Sequence, residues 1–125
     1  MAKKILVVDD EPDFCEALRD FLGSKGFEVA IALSGEEALP AYMQEKPDVV
    51  LLDIQMPGMD GLETLRELKA LDPEAAVIML TTIVDEPLAK QARAKGALEY
   101  ITKPIDMDYL DTTIATTLGL IGPDA

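Results

Sequence analysis

Four short stretches of this 125-residue chain carry residue types that can do chemistry: Asp9-Asp10, Asp53, Thr81-Thr82 and Thr102-Lys103-Pro104. Each stands at the end of an apolar run, respectively Ile5-Leu6-Val7-Val8, Val49-Val50-Leu51-Leu52, Ala76 to Leu80, and Leu98 to Thr102. The chain has no histidine. That removes the usual general base and the commonest metal ligand, so a site must be built from carboxylates, hydroxyls and lysine. Three carboxylates brought together repel: two unit charges ~4 Å apart cost roughly 4 kcal/mol at an effective dielectric of 20. Such a cluster holds protons or binds a hard cation. Ligands that are all oxygen point to Mg2+, with Mn2+ as a substitute. Mg2+ keeps waters and takes one or two carboxylates plus phosphate oxygens, so a phosphoryl group would complete the site. Lys103 offers a compact positive charge for it and Thr81 a hydroxyl donor. A carboxylate can itself be the nucleophile, giving an aspartyl phosphate.

Taken singly, each residue has an ordinary reading. A strand-end Asp is usually a helix cap or loop residue, Lys103 a solvated lysine and Thr81 a turn residue. What the ordinary readings leave unexplained is that all of them fall at the same end of successive apolar runs.

The elements that must position these residues follow from periodicity. Ile5 to Val8 reads as a first strand. Phe14, Leu18, Phe21 and Leu22 recur at helical spacing, with Pro12 in the first turn and Gly26 as the stop. Phe27 to Leu33 is a second strand, more alternating and nearer an edge. Ser34-Gly35-Glu36-Glu37 reads as a capping box opening a second helix, in which Pro40 predicts a kink and which Lys46-Pro47-Asp48 ends. Val49 to Leu52 is the third strand. Asp60 and Glu63 open a helix bearing Leu62, Leu65 and Leu68, broken by Asp72-Pro73. Ala76 to Leu80 is a fourth strand, and Pro87 begins a helix that Gly96 ends. Leu98 to Thr102 is a fifth strand. Asp106 caps a last helix carrying Leu110, Ile114 and Leu118, with Gly119 as its stop. Apolar strands between helices predict a parallel sheet covered on both faces, an α/β doubly wound domain. In such a sheet the ligand site lies beyond the carboxyl ends of the strands, at the topological switch point. A flavodoxin-like order 2-1-3-4-5 makes the first and third strands neighbours, and Asp9, Asp10 and Asp53 then share one cleft, with Thr81 and Lys103 on its far side.

Composition narrows the class. The length is that of one domain, 1–125, with a core over about 3–118 and a short tail over 119–125. The formal charge of −13 argues against direct nucleic-acid binding, which favours a basic face. No run approaches the ~18 apolar residues of a membrane helix, and Asp9-Asp10 interrupt the only N-terminal apolar stretch, so neither a membrane partner nor a secretory leader is expected. The expected location is cytoplasmic. The single cysteine, Cys15, excludes an intrachain disulfide and reads as a small, semi-buried hydrophobe.

The chain resembles a response-regulator receiver domain, like the chemotaxis receivers, over about Lys3 to Leu118. The resemblance rests on Ile5-Leu6-Val7-Val8-Asp9-Asp10-Glu11, on Leu51-Leu52-Asp53-Ile54-Gln55-Met56-Pro57-Gly58-Met59-Asp60-Gly61, on Ile78-Met79-Leu80-Thr81, and on Tyr100-Ile101-Thr102-Lys103-Pro104. It implies that Asp53 accepts a phosphoryl group from the phosphohistidine of a sensor histidine kinase or a histidine phosphotransfer protein. Asp10 would bind Mg2+ directly, Asp9 through water, and Gln55 by its backbone carbonyl. Lys103 would pair with one phosphoryl oxygen and Thr81 with another. Pro104 would follow a cis peptide that aims Lys103, and Tyr100 would be the switch aromatic. The surface of helix four, strand five and helix five would change for a downstream protein target. The chain would be a regulatory module, not an enzyme beyond self-phosphorylation and self-dephosphorylation.

Thr82 stands where the family is usually small and is expected to crowd the phosphoryl site. Ile83 and Val84 make the next loop apolar, for packing or for a partner. Ile105 replaces a frequent aromatic, and Asp106, Asp108 and Asp111 replace basic residues of DNA-binding dimers. Gln55 and Ile83 occupy positions that tune phosphoryl lifetime in the family. A stand-alone relay protein and the N-terminal receiver of a longer DNA-binding or enzymatic regulator both fit. An aspartate-nucleophile phosphatase would need an Asp two residues after Asp53, where Gln55 stands. A flavin carrier would need a glycine- or hydroxyl-rich cradle where Asp9-Asp10-Glu11-Pro12-Asp13 stands. A receiver that only binds is opposed by the intact Asp10, Asp53, Thr81 and Lys103.

Overall fold

The computed structural model describes residues 3–83 and 85–120. Strands β1 (Lys4–Val8), β2 (Glu28–Ala32), β3 (Val49–Leu52), β4 (Val77–Thr81) and β5 (Glu99–Thr102) alternate with five helices. These are α1 (Pro12–Ser24), α2 (Gly35–Glu45), α3 (Gly61–Leu71), α4 (Glu86–Ala94) and α5 (Met107–Thr117). The strands form one parallel sheet in the order β2-β1-β3-β4-β5, the flavodoxin-like order expected. The more alternating β2 is indeed an edge strand.

The sheet divides the core in two. Leu6, Val8, Val50, Leu52, Val77 and Met79 face one side and pack with Ala38 of α2, Leu65 and Leu68 of α3, and Ala92 of α4. Their neighbours Ile5, Val7, Val49, Leu51, Ile78 and Leu80 face the other, against Cys15, Leu18 and Leu22 of α1 and Leu110 and Ile114 of α5. Strands buried on both faces need apolar residues at every position, which is why β1, β3 and β4 do not alternate.

Helix starts follow the local chemistry. Ser34 Oγ accepts from the Glu37 N–H at 3.1 Å, while Glu37 reaches back to the Leu33 N–H at 3.5 Å, one residue earlier than the Ser34 N–H of an ideal capping box. Asp60 caps α3 through the Glu63 N–H at 2.9 Å, and Asp106 caps α5 through the N–H groups of Asp108 and Tyr109. Asp85, which the sequence reading passed over, caps α4 through the Leu88 N–H. α2 runs unbroken through Pro40. Pro40 leaves the Glu36 carbonyl without its helical N–H partner, and both residues are exposed. β4 and β5 each start one residue later than predicted, at Val77 and Glu99. Among the described residues no helix is long and apolar enough to cross a membrane.

Candidate functional site

The sheet register delivers the acidic residues to one place. β1 and β3 are paired in parallel up to Val8 and Leu52, so the residues that follow each strand emerge side by side. The Asp53 N–H donates to the Val8 carbonyl at 3.0 Å, extending the ladder one step and fixing Asp53 beside Asp9. Ligand oxygens of Asp9, Asp10 and Asp53 lie within 4.8 Å of one another. Asp9 and Asp53 are buried, whereas Asp10 is half-exposed. A donor set of three carboxylates and no nitrogen or sulfur fits a hard divalent cation of the magnesium type.

Gly61 lets the next element begin close under this cluster. A Cβ there would run into the Asp53 carbonyl oxygen and sit 2.5 Å from the Ile54 Cα. The Gly61 N–H donates to the Ile54 carbonyl at 2.9 Å, closing the 53–61 loop.

On the other side β4 and β5 bring Thr81 and Lys103 to the same end, and the Lys103 N–H donates to the Thr81 carbonyl at 2.8 Å. The Lys103–Pro104 peptide is cis. The Lys103 side chain crosses the cleft. Its Nζ donates to Asp9 Oδ2 at 2.6 Å and lies 3.8 Å from Asp53 Oδ2 and 3.7 Å from Glu11 Oε1. The ammonium also stands 4.0 Å from the centre of the Phe14 ring. Glu11 and Phe14 were absent from the sequence-derived site. Glu11 adjoins the Asp pair, and that adjacency was the signal; Phe14 was hidden by its membership of the helical apolar stripe.

Electrostatics match this geometry. Burial raises the Asp53 carboxyl above its ordinary value; Lys103 opposes that, Asp9 adds to it, and the Gln55 N–H and Thr81 hydroxyl oppose it. Burial works to lower the Lys103 pKa, but its bond to Asp9 and the charges of Asp9, Asp53 and Glu11 outweigh burial and raise it. The site therefore holds an ionised lysine as a counterion within its carboxylate cluster.

Two loops frame the mouth. Gln55 donates its N–H to Asp53 Oδ1 at 3.3 Å and accepts the Thr82 hydroxyl on its side-chain oxygen at 3.1 Å. Thr82 is exposed, so it borders the opening and ties the two loops together. Thr81 is buried, and its Oγ1 accepts from the Ile83 N–H at 3.3 Å. The Ile83 carbonyl in turn accepts the Tyr100 hydroxyl at 2.9 Å. Ile83 and Tyr100 both pack on the core beneath α4, so packing accounts for Ile83, while Val84 lies outside the described residues. Cys15 is fully buried rather than semi-buried, its thiol donating to the Asp9 carbonyl at 3.3 Å.

An acidic triad, a threonine and a lysine thus stand together at the carboxyl end of a doubly wound parallel α/β sheet. The family model described as "Response regulator receiver domain" matches residues 5–115, and the chain belongs to that family, the receivers of two-component response regulators. It is 38% identical to the chemotaxis protein CheY of Bacillus subtilis over 95% of this chain and all of that protein. It is 41% identical to the transcriptional regulatory protein ZraR of Escherichia coli K12 over 92% of this chain. There it spans only 26% of the relative's length. The CheX–CheY–BeF3–Mg complex of Borrelia burgdorferi superposes with a TM-score of 0.89 at 32% identity, covering 96% of this chain and 90% of that one.

Proposed function

We propose that Asp53 is the phosphoacceptor of this receiver, taking a phosphoryl group from the phosphohistidine of a sensor kinase or phosphotransfer protein. The observation that carries this reading is the convergence of Asp9, Asp10 and Asp53 oxygens within 4.8 Å, with the Lys103 ammonium among them. Asp10 and Asp9, with Asp53 and the Gln55 carbonyl, would hold Mg2+ (or Mn2+), which would supply charge neutralisation for the phosphoryl oxygens. A carboxylate oxygen of Asp53 forms the new O–P bond as the P–N bond of the donor breaks, its electron pair leaving on the histidine nitrogen. Lys103, 3.8 Å from Asp53, pairs with one phosphoryl oxygen and Thr81 donates its hydroxyl to another.

The readout follows the chain of bonds. Thr81 holds the Ile83 N–H and the Ile83 carbonyl holds Tyr100, so a displacement of Thr81 is passed to Tyr100. The altered face is α4, β5 and α5, and its partner is a downstream protein. The chain acts as a regulatory module in the cytoplasm rather than as an enzyme with an external substrate. The relative ZraR contains such a unit within a longer regulator, and the length of the gene decides between that arrangement and a stand-alone relay.

The test is an intact mass after incubation with a small phosphodonor and Mg2+. One phosphoryl increment, lost in Asp53→Asn and without divalent cation, supports the reading. No increment despite bound Mg2+ refutes it.

A further inference from the structure

Lys103 presents an unusual balance of contacts. Its ammonium has three N–H donors and its side chain is only 9% exposed, so most of its hydration is gone. Yet among the described residues it has one hydrogen bond, to Asp9; Asp53 and Glu11, at 3.8 and 3.7 Å, stand beyond hydrogen-bonding distance. What fills the remaining space is the face of Phe14, 4.0 Å from Nζ to the ring centre. A desolvated ammonium over an aromatic face is held by the ring quadrupole.

The ring is well placed for this. Pro12 and Asp13 open α1, and the backbone N–H of Cys15 closes its first turn on the Glu11 carbonyl at 3.1 Å. The Cys15 thiol then ties that turn to the Asp9 carbonyl at the end of β1. Phe14 directly precedes Cys15, so these two ties hold its backbone close to the end of β1. Its flank packs on the core below the sheet, leaving a face to Lys103.

We propose that Phe14 is a positioning residue for the phosphoryl chemistry, seating the Lys103 ammonium by a cation–π contact. The inference rests on the reading of Asp53 as phosphoacceptor. Asp9 is a shared seat, because one of its two oxygens also belongs to the cation-binding triad. The ring competes for no cation and takes part in no bond change, so it supports Lys103 when Asp9 turns elsewhere. Over the ring, Nζ already stands 3.8 Å from Asp53 Oδ2, so it can meet an oxygen carried on Asp53 while the contact with Phe14 is kept.

The test replaces Phe14 in the full chain by a series of progressively fluorinated phenylalanines, close in shape but with a weakening quadrupole, alongside Phe14→Tyr and Phe14→Leu. Two quantities are read: the rate of phosphoryl incorporation from acetyl phosphate with Mg2+, and the ring-current displacement of the Lys103 ε-proton resonances without phosphodonor. The rate falls stepwise with fluorination, to roughly one-tenth at the weakest ring, as expected for losing about 1.4 kcal/mol of cation–π energy. Phe14→Tyr stays within about twofold and Phe14→Leu falls about tenfold. The ε-proton displacement is present in wild type and shrinks through the series. A flat rate through the fluorinated series overturns the inference even if Phe14→Leu is slow, since that pattern means packing alone. Should Phe14→Leu fail to fold, the fluorinated series still decides. A wild type that takes no phosphoryl group refutes the phosphoacceptor reading, and the ε-proton displacement then decides separately whether the ring seats Lys103.

Discussion

Asp53 is held where its charge is unfavourable. Burial, and then the neighbouring Asp9, raise its pKa against the help of Lys103, so the ionised form is a net cost to folding at neutral pH. With divalent cation chelated, Asp53→Asn is expected to raise the urea midpoint above wild type. Cys15 shows the same effect of burial on an inert group. Its thiol is pushed up to about 11, chiefly by burial and then by Asp9, from the ordinary 9.0. Two pKa units reduce the thiolate fraction about 100-fold, so alkylation of the native protein at pH 8 should be at least that much slower than of the urea-unfolded chain. Tyr42 donates to Asp72 Oδ2 at 2.8 Å, bridging α2 to the end of α3. Burial and this bond push the Tyr42 hydroxyl up to about 12 from 10.0, and the same bond lowers Asp72 below 3.8. The tyrosine contribution is complete below pH 10 and disappears as pH rises through about 12; that of Asp72 is complete above pH 3.8 and disappears on acidification below it. Tyr42→Phe should therefore lower the urea midpoint at pH 7, with the difference from wild type shrinking at both extremes. At this scale the aspartates, Thr81 and Lys103 that the fold brings together were legible, because such residues at the ends of apolar runs stand out, whereas Glu11 was not singled out beside its Asp neighbours. Phe14 was not, because a residue at helical spacing reads as core whether or not one of its faces meets a cation.

Elements fix the precision of the site. α3 starts so near the end of β3 that only a missing side chain fits at Gly61. Gly61→Ala should cost about 3 kcal/mol in chemical denaturation, at the upper end for overpacking, because the obstructing atoms are backbone and cannot rotate away. Asp106→Ala removes the cap that accepts two N–H groups of α5 and should cost about 1 kcal/mol in the same measurement. Strand order and helix limits could be read to within a residue or two, since apolar runs, caps and glycines mark them independently. The places where reading fell short are those set by tertiary contact. The reach of Lys103 across the cleft, for one, depends on which side chains it meets there.

For the molecule as a whole, the net charge of −13 makes self-repulsion a general cost. Thermal midpoints should rise from low salt to about 0.15 M, where the Debye length shortens to about 8 Å. Mg2+ should add a further rise that grows with the logarithm of its concentration above the dissociation constant, worth about 2.7 kcal/mol at 100 times that constant, and that EDTA reverses and Asp10→Ala abolishes. The sheet order has one more consequence, in the currency of hydrogen exchange. β1 and β3 are paired on both sides and covered on both faces, while β5 is paired on one side only. Amides of Val7, Val50 and Leu51 should exchange only with global unfolding, and those flanking Tyr100 through smaller openings. The acidic triad thus hangs from the last part of the chain to open, and Tyr100 from a margin that opens readily. On the proposed function, a chemical event at a stiff centre would be reported at a compliant edge, where little work is needed to be noticed.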